Sequence, residues 1–170
     1  MRVLSSPHRN FWVLLVATVK RWLVLKTSIA AVLARNHEGK ILGACTYPSQ
    51  DIVNAFVAEA RACERALSFA LEMGFQCLQL EGDSLSIIKK LKSKMEDRSV
   101  LRPIIQSIHI LLRQFEKAVY LFVPRTVNRA AHTLALEGRR CQLPCFWTEE
   151  APNSVRKMAA EDWRVWNQDR

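Results

Sequence analysis

The stretch IVNAFVAEARACERALSFALEMGFQCLQLEGDSLSIIKKLKS, residues 52–93, decides how this chain folds. Val53, Phe56, Val57, Ala60, Cys63, Leu67, Ala70 and Leu71 recur at steps of three and four, the period of a helix with one apolar face. A helix is therefore expected over 52–73, with Gly74 as its stop. CLQL (77–80) is a short apolar run of strand length, followed by Glu81, Gly82 and Asp83. Leu85, Ile87, Ile88 and Leu91 then mark a second helix over 84–93. The segment is thus helix, strand, helix, with the carboxylate of Asp83 at the β-to-α junction.

Working outward, SIAAVLARN (28–36) and KILGACTY (40–47) are apolar runs separated by His37, Glu38 and Gly39, and Gly39 can take the positive φ that a tight hairpin needs. They are expected to pair antiparallel. Downstream, Pro103 opens a third helix to about residue 115, and AVYLFV (118–123) has the side chains of a strand that Pro124 stops. Asn128 is placed to cap a helix through Leu136, closed by Gly138. Residues 152–170 are amphipathic through Val155, Met158, Trp163 and Trp166, a pattern that packs on the body. An opening strand is expected before Ser28. The order is that of one mixed α/β domain, and 170 residues can bury a core without staples.

The formal net charge is +9, and Arg2, Arg9, Lys20, Arg21, Lys26 and Arg35, with no acidic residue before Glu38, give +6 of it to the first 37 residues. The rest carries only +3, a mild basicity compatible with an anionic partner such as nucleic acid. Cys45, Cys63, Cys77, Cys141 and Cys145 form an odd set with no CxxC pair, and the first three lie in apolar stretches, the pattern of thiols in a reducing compartment. Nothing near Cys141 and Cys145 completes a zinc site. The apolar run 11–19 is interrupted by Lys20 and Arg21, short of the roughly 20 residues a membrane span requires. A buried strand is the leading reading, a signal or transit peptide the alternative, with a nuclear or cytoplasmic location favoured over an organelle.

Glu59 in the first long helix, Asp83 after a strand and His132 in the helix begun by Asn128 fall where sheet edges and helix starts converge. Singly, each has a structural explanation: a solvated carboxylate, a helix cap, a half-buried polar group. Together they lie in three spaced runs, AEARACERAL (58–67), LQLEGDS (78–84) and VPRTVNRAAHTLA (123–135). In content and order these resemble the ribonuclease H type 1 domain, above all its plant reverse-transcriptase-like, retrotransposon-derived branch. The resemblance covers residues 28–137, which leaves 1–27 as a divergent segment containing the first strand and 138–170 as a C-terminal amphipathic extension.

That resemblance implies a five-stranded mixed sheet flanked by helices, and a monomer that binds RNA–DNA hybrid and cleaves it with Mg²⁺ or Mn²⁺. Hard cations take oxygen ligands, so carboxylates carry such a site. By motif Glu59 and Asp83 become metal ligands, and His132 stands where many members place a further Asp. Lys89, Lys90 and Lys92, with Arg125, Asn128 and Arg129, become candidate contacts to nucleic acid. The departure lies upstream: the family carries an Asp on its first strand, and no acidic residue precedes Glu38. Losing that ligand is expected to remove most hydrolysis, so a non-catalytic nucleic-acid-binding or protein-interaction module is the rival reading.

Overall fold

A computed structural model describes residues 12–22, 26–50, 54–96 and 98–168. The readings that place Arg2, Arg9 and Phe11 in a basic or apolar leader, and the first long helix from Ile52, fall partly outside the described residues. The chain runs β1 (Trp12–Trp22), β2 (Thr27–Arg35), β3 (Ile41–Gln50), α1 (Ala55–Glu72), β4 (Cys77–Gly82), α2 (Leu85–Lys92), α3 (Arg102–Leu112) and β5 (Lys117–Phe122). A 3₁₀ turn, Arg125–Val127, leads into α4 (Arg129–Gly138), β6 (Cys145–Thr148) and α5 (Asn153–Gln168).

The strands form one mixed sheet in the order β5-β4-β1-β2-β3-β6. β1 is the opening strand expected before Ser28; it pairs antiparallel with β2 and parallel with β4. Its run of apolar residues from Val13 to Ala17 follows from burial on both faces. Val13, Leu15, Ala17 and Val19 point into one core with α1, α2 and α3, while Val16 points into a second core with α4 and α5. The β2–β3 hairpin turns where expected: Gly39 takes φ +80°, and Asn36 Oδ1 accepts from the backbone N–H of Glu38 (3.0 Å) and Lys40 (2.9 Å). Asn54 Oδ1 caps α1 by accepting from Phe56 N at 2.8 Å. The sheet-facing side of α1 is mostly small, with Ala58, Ala62, Ala66 and Ala70 buried, so its backbone lies close to the strands.

Four features differ from the sequence reading. The sheet has six strands among the described residues, not five, because CFWT pairs antiparallel with β3 inside the segment read as an amphipathic extension. Four residues are too few for a period to emerge, and the strand is fixed by tertiary contact, including Phe146 edge-on to Tyr47 at 5.7 Å. Cys141, in the loop after α4, forms a disulfide with Cys145, the first residue of β6, whereas Cys45, Cys63 and Cys77 are buried free thiols. Gly138 does not stop α4 by a left-handed turn; it is the last helical residue, and a Cβ there would lie 2.8 Å from Ile29 Cγ2 and Thr46 Cβ. It is a glycine because α4 touches the sheet there. Asn128 holds the N-cap position of α4, yet its side chain makes no capping hydrogen bond. The buried carboxylate of Asp162, from α5, accepts from Ala130 N at 2.8 Å instead.

Candidate active site

The parallel register of β1 and β4 pairs Ala17 with Gly82, so the next residues along, Thr18 and Asp83, emerge side by side from neighbouring strands. The Asp83 side chain is 1% exposed. Its Oδ2 accepts from Arg125 Nε at 2.9 Å and lies 2.9 Å from His132 Nε2. Its Oδ1 is buried with no hydrogen-bond partner among the described residues. Burial alone would raise the Asp83 carboxyl, but the hydrogen bonds and charge of His132 and Arg125 outweigh it and hold the group below its ordinary value.

Glu59 approaches from α1, half-buried between the buried Ala58 and Ala60. Burial first, and then the negative charge of Asp83, push its carboxyl up to about 8, with Arg125 and Arg21 pulling the other way. The three residues singled out in the sequence therefore share one electrostatic neighbourhood. His132 is carried by α4, and Thr18 Oγ1 sits 3.4 Å from its Nδ1 and 3.5 Å from its Nε2, beside the ring edge at the long limit of a hydrogen bond. Thr18, fully buried in the central strand, was not singled out from the sequence. The signal was there: it is the one polar residue in an otherwise apolar run of strand length.

The expected contacts to nucleic acid separate into groups. Lys89 and Lys92 are exposed on the last turn of α2 and Lys90 is partly so, the apolar side of that helix being taken by Ile87, Ile88 and Leu91. Arg125 is 71% exposed but its Nε is on Asp83. Arg129 reaches Asp162 Oδ1 through Nε at 3.1 Å and Glu161 Oε2 at 3.3 Å, tying α4 to α5. Asn128 is buried at 2% exposure, with neither side-chain polar atom partnered, which takes it off the surface a phosphate could reach.

The family model described as reverse transcriptase-like matches residues 24–138. The chain belongs to the reverse transcriptase-like family. Its fold is that of ribonuclease H: the ribonuclease H1 of the halophilic archaeon Halobacterium salinarum superposes with a TM-score of 0.69 at 23% identity, over 76% of this chain and 98% of that one. The N-terminal ribonuclease H domain of rv2228c from Mycobacterium tuberculosis gives 0.68 at 18% identity, over 77% and 95%. LC11 ribonuclease H1, solved in complex with RNA/DNA hybrid, gives 0.65 at 17%, over 74% and 94%. No curated protein sequence matches.

The donor set of this reverse transcriptase-like domain does not fit a pair of divalent ions. The family match begins after β1, and β1 brings Ala17 and Thr18, not a carboxylate, to the end of β4. Asp83 Oδ2 already takes two nitrogen donors, one from a permanent cation. Among the described residues no group of three or more His, Cys, Asp or Glu is arranged to hold a metal. Nor is any described helix long and apolar enough to cross a membrane.

Away from this cluster, β2 and β4 carry a buried ion pair, Arg35 to Glu81 at 3.3 Å, with Gln79 donating to Glu81 at 2.9 Å. The partners lie on the strands either side of Leu14, so the pair bridges over β1. A groove of about 680 Å³ lined by Thr27, Pro48, Arg139 and Leu143 lies at the far end of the β2–β3 hairpin and includes none of the residues gathered at Asp83.

Proposed function

We propose that this protein is a nucleic-acid-binding ribonuclease H-like domain whose ligand is RNA–DNA hybrid, with hydrolysis of the RNA strand strongly reduced by the loss of the first-strand carboxylate. The observation that carries this reading is the convergence of Glu59, Asp83 and His132 at the end of β4, with Thr18 beside them where β1 offers no acid. Support for the ligand comes from the solved relatives: LC11 ribonuclease H1 and the foamy viral protease-reverse transcriptase were each determined with RNA/DNA hybrid. Hybrid is recognised by backbone shape and 2′-hydroxyls, and exposed lysines on α2 suit the phosphates of such a backbone.

The rival, a module that keeps the fold and no reaction, draws on the saturation of Asp83 Oδ2 by Arg125 and His132. One assay separates the two. Labelled hybrid is incubated with the purified chain across a series of Mg²⁺ and Mn²⁺ concentrations, and binding is measured in parallel in EDTA. Slow cleavage abolished by Asp83→Asn supports residual hydrolysis. Binding without cleavage at any metal concentration supports the module, and no binding to hybrid even at low salt rejects both. Turnover on the scale of ordinary enzymes, about 1–1,000 per second, would reject the claim of impairment.

A further inference from the structure

We propose that Arg125 is the internal counter-ion of Asp83, and that a divalent cation reaches this carboxylate only when the guanidinium leaves it. The inference rests on the ribonuclease H-like reading of the site and adds to it the group that controls cation entry.

Three observations carry it. The first is how Arg125 is delivered. Val123 N donates to Gly82 O at 3.0 Å, locking the end of β5 to the residue before Asp83, and Pro124 and the 3₁₀ turn (Val127 N to Pro124 O, 3.1 Å) then project Arg125 across the end of β4. The contact is therefore set by sheet register and a closed turn, not by a chance encounter of long side chains. The second is the asymmetry of the pair. Asp83 is 1% exposed and Arg125 is 71% exposed, so the carboxylate is fixed while the cation stands at the solvent boundary, able to swing out without opening the core.

The third is the occupancy of the carboxylate. Oδ2 is shared by Arg125 Nε and His132 Nε2, whereas Oδ1, buried and unpartnered among the described residues, is the oxygen of this carboxylate left without a donor. An ion at Oδ1 would sit within a few ångströms of a permanent positive charge. At that range like charges repel strongly unless water intervenes, and Arg125 is exposed enough for screening to leave a moderate penalty. A carboxylate on β1 would have added a negative charge beside Asp83. Without it, one arginine offsets Asp83 alone.

The test is direct binding of Mn²⁺ to the full chain, read by calorimetry and by the paramagnetic resonance of free Mn²⁺, for the wild type, Arg125→Gln, Arg125→Ala and Arg125→Gln with Asp83→Asn. Both single variants should bind Mn²⁺ at least about tenfold more tightly than the wild type, and adding Asp83→Asn should erase the gain. Because Arg125 is a surface side chain, the variants should keep the wild-type circular dichroism, and agreement between the Gln and Ala forms guards against a local folding defect in either. Unchanged Mn²⁺ affinity in the folded variants overturns the proposal, as does a gain that survives Asp83→Asn. Hybrid binding in EDTA, measured on the same proteins, reports separately on the proposed function.

Discussion

Asp162 offers the most discriminating test of how the site is held, because sequence and structure assign the capping of α4 to different residues. Its buried carboxylate accepts from Ala130 N at 2.8 Å and Arg129 Nε at 3.1 Å. Asp162→Ala removes a helix cap, worth about 1 kcal/mol, and a charge-assisted bond, worth about 1.5–3 kcal/mol before discounting for the 42% exposure of Arg129. A loss of about 2–4 kcal/mol is expected, which in a chain of this size lowers the melting temperature by roughly 4–16 °C. Asn128→Ala should cost less than about 1 kcal/mol, because neither polar atom of that side chain is bonded. Thermal and urea denaturation of the two variants, with Arg129→Ala completing a double-mutant cycle against Asp162→Ala, decides between the two caps. If Asp162→Ala melts within about 1 °C of the wild type while Asn128→Ala is the damaging change, the assignment of the cap to α5 is wrong.

Three further outcomes are expected. Glu59 is raised from 4.5 to about 8, so the folded state holds a proton that the unfolded state releases. Stability should therefore fall as pH rises from about 4.5 to 8, and Glu59→Gln, which cannot ionise, should flatten that decline by an amount on the order of 2–4 kcal/mol in urea titrations at pH 5 and pH 9. An identical pH profile in the variant would remove Glu59 from the buried cluster. Substituting Lys89, Lys90 and Lys92 together should weaken hybrid binding and lower the slope of log affinity against log salt by about 2–3, and an unchanged slope would take α2 out of the interface. Gly138→Ala should destabilise by about 1–3 kcal/mol, since its methyl would meet Ile29 and Thr46 at 2.8 Å; a neutral result in thermal melts would show that α4 can back away from the sheet freely.

The elements that could be located in the sequence are those whose burial is periodic and whose ends carry local chemistry. α1 shows a run of apolar positions at helical spacing with Gly74 at its end, although its start at Ala55, capped by Asn54, lies inside the range read from residue 52, and the β2–β3 hairpin shows two apolar runs around Gly39. β1 could be inferred from its apolar run but not paired, because a strand buried on both faces has no alternation to set its register. β6 was invisible because its partner, β3, is about 100 residues earlier in the chain and its four residues carry too little pattern of their own. The candidate site divides in the same way. Glu59, Asp83 and His132 were legible through three spaced runs. The grip of Arg125 on Asp83 and the cap from Asp162 were not, since each depends on residues more than 30 positions apart meeting in space, and Thr18, though marked as the one polar residue of its run, meets His132 only in the folded chain.

The cost of a buried charge explains why these hidden contacts belong together. A carboxylate at 1% exposure with no compensating donor would lose several kcal/mol of solvation or take up a proton. Asp83 does neither, because Arg125 and His132 meet its Oδ2 and hold the carboxyl below its ordinary value. Asp162 meets the same demand on the other side of α4, satisfied by Arg129 and a helix N-terminus. The helix that bears His132 is thus anchored at its start by one buried carboxylate and aimed at another, whose Oδ2 is met by donors from within the chain. Under the proposal above, a cation competes with Arg125 for Asp83. Backbone recognition through α2, which lies outside these ion pairs, is the part of the proposed function that does not call on a first-strand acid.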